Sequence, residues 1–66
     1  MFTIHDKLEC VQRELSYRRH VYRRRVEAGW MSEAHAKREI ELMEAIIEDY
    51  RALAHEDELP WEQALS

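Results

Sequence analysis

The sequence predicts an all-α fold, an antiparallel helical hairpin, and three observations predict it. Apolar residues recur at steps of three and four through two long runs, the single glycine, Gly29, stands between those runs, and the runs carry opposite charge. Met1 to Gly29 hold seven Lys/Arg against four Asp/Glu, a net of +3, whereas residues 30–66 hold three against ten, a net of −7. The overall −4 at pH 7 thus conceals two halves that attract each other when laid side by side.

The first helix is expected over about residues 3–28. Thr3 opens it: its hydroxyl can accept from the backbone N–H of Asp6, and Asp6 places negative charge on the positive end of the helix. Ile4, Leu8, Val11, Leu15, Tyr22 and Val26 then fall within an arc of about 60° on a helical wheel. Arg18 fills the gap in that stripe, its stem over the seam and its head directed to water or to an acid on the opposite helix. A weaker stripe of Cys10, Tyr17, Val21 and Ala28 lies more than about 100° away, beyond the reach of a single partner helix. Gly29 ends the helix because only glycine enters the left-handed C′ conformation without steric cost, and Trp30 or Met31 can pack back on the last turn.

The second helix is expected over about residues 32–55, with Ser32 as N-cap, Glu33 in its first turn and Met31 as an apolar staple. Ala36, Ile40, Met43, Ile47, Tyr50 and Ala54 follow at alternating steps of four and three, the pattern of a helix packed lengthwise on another. His55 to Glu58 is polar and acidic, where fraying is expected. These elements make residues 1–58 one hairpin domain and leave 59–66 as a tail. There Pro60 suits the first position of a short helical turn, and Trp61 and Leu65, four apart, share a face. The tail either docks on the hairpin or offers a short motif to a partner.

Leu42, Ile46 and Leu53 flank the second seam and widen its apolar arc to about 160°, more than the ~100° one neighbour requires. Together with Tyr17 and Val21 they form the candidate oligomer interface, most simply of two hairpins joined in a four-helix bundle. The alternative cover is the tail folded back on the flank. Self-association is the stronger reading, because 66 residues with one cysteine can form neither a large core nor an internal disulfide.

Arg18, Arg19, Arg23, Arg24 and Arg25, with Tyr22 among them, are the local cluster that invites a functional reading. Such guanidinium groups can grip nucleic-acid phosphates. They scatter around most of the helix circumference, however, and a fold at Gly29 brings them beside Glu33, Glu39, Glu41 and Glu44, so ion pairing within or between chains is the expected role, with an acidic protein partner next. Glu41, Glu44, Glu48, Asp49, Glu56, Asp57, Glu58 and Glu62 invite a nucleic-acid-mimic reading in turn, that of an acidic inhibitor of a host defence protein. A solvated helix face is the simpler account.

No chemistry of catalysis is legible. His5, His20, His35 and His55 are dispersed, His35 with Glu39 makes at most two ligands of a metal site, and one glycine excludes a phosphate-cradling loop. The chain is therefore read as a non-enzyme without metal or cofactor. The first residues lack the basic start and apolar run of a secretory signal, and no apolar stretch approaches the ~20 residues of a membrane span, so a cytoplasmic location is expected.

Lys7 to Leu15, Tyr17 to Gly29, Met31 to Ala34, and Ile40 to Ile46 with Asp49-Tyr50 form an Arg-rich helix containing Val21-Tyr22, a glycine turn, a serine cap and an Ile-x-x-Met-Glu-x-Ile helix closing in Asp-Tyr. This pattern resembles a group of small α-helical proteins encoded in bacteriophages and prophages. The resemblance implies a helical hairpin and brings no activity with it. Gly29-Trp30-Met31-Ser32 is more weakly similar to short C-terminal helical hairpin domains appended to bacterial proteins. The expectation is a homo-oligomeric structural or protein-interaction module, with a nucleic-acid-binding accessory protein and an acidic inhibitor as the alternatives.

Overall fold

The computed structural model describes residues 1–58, and of positions 57 and 58 the backbone alone. Two helices, α1 (Ile4–Glu27) and α2 (Glu33–Glu58), pack against each other as a hairpin. The tail residues Trp61 and Leu65, and the helical turn expected around them, lie outside the described residues.

Each helix start follows from its cap. The Thr3 hydroxyl accepts from the Asp6 N–H at 3.1 Å while the Asp6 carboxylate accepts from the Thr3 N–H at 3.0 Å, a reciprocal pair that satisfies two of the amides a helix start leaves unpaired. Asp6 thus does more than oppose the helix dipole. At the second start, the Ser32 hydroxyl accepts from His35 N–H at 3.1 Å and its carbonyl from Ala36 N–H at 3.0 Å.

Between them, Gly29 sits at φ +79°, the left-handed region. Its N–H donates to the Val26 carbonyl and the Trp30 N–H to the Arg25 carbonyl, the two bonds of a Schellman stop. Met31 is half-buried, whereas the Trp30 ring is 85% exposed and does not pack back. The turn holds through its backbone, so the ring is not required for it.

At its far end α2 continues past His55 to Glu58, beyond the expected fraying point. Nothing from His55 to Glu58 forbids helical backbone.

The core lies along one seam. Leu15, Met43 and Ile47 are buried, with Leu8, Val11 and Ile40 packed around them, and Ala54 is buried further along α2. The remaining positions of both predicted stripes, Ile4, Tyr22, Val26, Ala36 and Tyr50, are half-buried. The seam is therefore the one the periodicity predicts, but it is thin: burial of a large aliphatic side chain contributes about 1.5–3 kcal/mol, and few are fully covered.

Candidate interaction surface

One contact reports the register of the hairpin. Arg19 on α1 lies 3.6 Å from Glu44 on α2. Stepping equally in opposite directions from this pair, as antiparallel helices require, brings Tyr17 level with Ile46, Val21 level with Leu42 and Cys10 level with Leu53. All three pairs turn away from the seam to the same side. Counted from N- to C-terminus on each helix, they stand about 110–150° from the seam on α1 and about 80–120° on α2 in the same rotational sense, and equal senses on antiparallel helices point to one face.

The surroundings agree. On the apolar side, a groove at the α1 start is lined by Phe2, Cys10, Val11 and Tyr50 together with the charged Asp6, Lys7, Glu9 and Arg13. On the opposite side, the grooves carry Gln12, Ser16, Arg19, Glu44, Glu48 and Arg51, mostly polar or charged. One side of the hairpin is thus polar, and the other, its apolar face, carries an apolar row with charged residues along it. On the apolar face Leu42 is 45% exposed, Ile46 41%, Leu53 51% and Tyr17 64%, with Cys10 also exposed and Val21 half-buried.

These are the residues expected to stand outside the seam, Cys10 among them through the weaker stripe. The expected oligomer interface takes Tyr17 and Val21 from that stripe and leaves out Cys10, which the same stripe already signals.

A charged pair crosses this face. Arg18 Nε donates to Glu14 Oε1 at 3.0 Å, so its head is held by its own helix and not by an acid of α2. The reason is spacing: residues four apart on a helix are neighbours, and the reach to α2 is longer. That hydrogen bond raises the Arg18 pKa above the ordinary arginine value, with attraction to Tyr22 and Glu39 in the same direction.

The other arginines do not behave as one cluster. Among the described side chains only Arg19 pairs with an acid of α2; Arg25 lies over the Tyr22 ring at 6.0 Å, and Arg23 and Arg24 make no ion pair. Of Glu33, Glu39, Glu41 and Glu44, only Glu44 makes an ion pair with an arginine of α1 among the described side chains, while Glu39 attracts Arg18 without pairing, because positions around a helix cannot all face one neighbour. Arg23 lines a groove with Glu27, Glu33 and Glu41, mixed in charge and not a basic site.

Among the described residues no group of three or more His, Cys, Asp or Glu could hold a metal ion, and no buried polar side-chain atom lacks a partner. No described helix is long and apolar enough to cross a membrane. Comparison with protein-family models, curated proteins and solved structures gave no match.

Proposed function

We propose that this chain is a self-associating helical module that acts by protein interaction, of the phage or prophage type its sequence resembles. One observation carries the reading: a chain with a thin core leaves Leu42, Ile46 and Leu53 about half exposed in a row beside the exposed Tyr17 and half-buried Val21. Contiguous apolar surface of this kind is unfavourable in water and is relieved by a covering partner. The charged opposite face keeps the assembly soluble. No arginine cluster gathers on one side to bind phosphates, which favours the interaction reading over nucleic-acid binding.

The test is sedimentation equilibrium across micromolar concentrations. The expected result is a species of at least twice the 8.0 kDa chain mass, reduced to a helical monomer by Leu42→Asp or Ile46→Asp. A well-folded wild-type monomer with no concentration dependence overturns the proposal.

A further inference from the structure

We infer that the occupant of the apolar face is a second copy whose α2 lies along this chain's α1, and whose α1 lies along this chain's α2, about a two-fold axis parallel to the helices. The inference rests on the self-association proposed above and adds its arrangement.

Two hairpins can meet through the same face about a two-fold axis in two ways. With the axis along the helices, each α1 rests on the partner's α2 and residues keep their level. With the axis across the helices, α1 rests on α1 and α2 on α2, and levels are inverted.

Charge separates the two. α1 holds seven bases against four acids and α2 three bases against nine acids, so like-on-like stacking sets the two basic helices together and the two acidic helices together. The same difference holds locally. On the apolar side of the wheel α1 presents Lys7, Arg18 and Arg25 with Glu14 as its one acid, whereas α2 presents Glu39 and Asp49 and no Lys or Arg.

Register is compatible with the first. The Arg19–Glu44 contact makes Tyr17, Val21 and Cys10 level with Ile46, Leu42 and Leu53. An axis along the helices preserves levels, so each of these α1 residues meets its apolar counterpart on the partner's α2. Glu14 then comes level with Asp49, a like-charged pair, but Glu14 is already held by Arg18. An axis across the helices, centred level with Arg19 and Glu44, sets Tyr17 on Val21, Cys10 on Ala28 and Leu42 on Ile46, so apolar matching is available to both arrangements and charge decides between them.

Cysteine cross-linking reads the arrangement directly, because a disulfide forms only between Cα atoms within about 7 Å. In a Cys10→Ser background, Val21→Cys and Leu42→Cys chains are prepared separately, refolded together and oxidised. The expected result is a cross-linked band at twice the 8.0 kDa chain mass in the mixture, absent from either variant alone, together with no cross-linking of an Ile46→Cys chain by itself. Cross-linking of Ile46→Cys alone places α2 on α2 and overturns the inference, as does a dimer that yields no mixed disulfide or an assembly larger than a dimer. Sedimentation of the unoxidised variants distinguishes the two failures: a wild-type monomer ends the self-association reading itself, whereas a dimer with the wrong cross-link ends only the arrangement.

Discussion

Arg19 and Glu44 form the one ion pair among the described side chains that joins the two helices; Arg13–Glu9, Arg18–Glu14, Lys37–Glu41 and Arg51–Glu48 each stay within one helix. Both partners are about half exposed at 3.6 Å, so the pair reports the register more than it stabilises it. A double-mutant cycle of Arg19→Ala and Glu44→Ala should give a coupling of about 0.2–1 kcal/mol at low salt, falling toward zero near 1 M salt. Urea melts at the two salt concentrations check this. A coupling that survives high salt unchanged contradicts the solvent-screened geometry.

Ile46 and Ile47 are neighbours in sequence and opposites in environment, at 41% and 3% exposed. Ile47→Ala opens a cavity at the centre of the seam and should cost about 2–5 kcal/mol of stability. Ile46→Ala should leave the hairpin seam intact and weaken association instead. Circular dichroism at concentrations above and below dissociation separates the effects, and equal loss of helix from both substitutions would mean that the faces are misassigned.

Much of the fold could be read from the residues alone because both helices keep their apolar residues at steps of three and four and Gly29 is the sole left-handed stop. The far end of α2 was harder to place, since acidic residues near a C-terminus are unfavourable to the dipole without forbidding the helix. The partner of Arg18 was misjudged because its place in the seam pointed across to α2, although Glu14, four residues earlier, was the nearer acid. The apolar face was half legible. Its members followed from the wheel, but that Tyr17 and Val21 stand level with Ile46 and Leu42 required the register, and no pattern within either helix carries it.

Gly29 offers a clean measure of backbone strain, because a Cβ there would meet no atom within 4 Å while φ is +79°. Gly29→Ala should therefore destabilise through conformation alone, by about 1–2 kcal/mol. Gly29→Asn should cost less, since asparagine visits the left-handed region more readily. Chemical denaturation of the two variants checks the order. Equal stability of Gly29→Ala and wild type would show that the turn does not need its Schellman geometry.

The caps differ in position and so in expected effect. Ser32 stands where the chain re-enters a helix between two packed segments, whereas Thr3 stands near the chain start, where local fraying relieves the loss. Ser32→Ala should cost about 0.5–2 kcal/mol and Thr3→Ala should fall at the lower end of that range. Hydrogen exchange of the His35 and Asp6 amides, the two donors concerned, reads each cap on its own.

Whether the arginines serve nucleic acid is settled by salt. A protein held to DNA or RNA by phosphate contacts loses affinity steeply as counterions are added, because each neutralised phosphate releases a cation. Here Arg19 is paired with Glu44, Arg18 with Glu14, and Arg25 lies over Tyr22, leaving Arg23 and Arg24 as the members of the cluster outside an ion pair or ring contact among the described residues. Those two diverge by about 100° around the helix and cannot follow one backbone strand together. The net charge of −4 repels polyanions as well. The expected outcome is no retardation of duplex or single-stranded DNA, or of RNA, at about 150 mM salt. A micromolar complex whose affinity falls steeply with added salt, and which Arg23→Glu with Arg24→Glu abolishes, would overturn the interaction reading in favour of nucleic-acid binding.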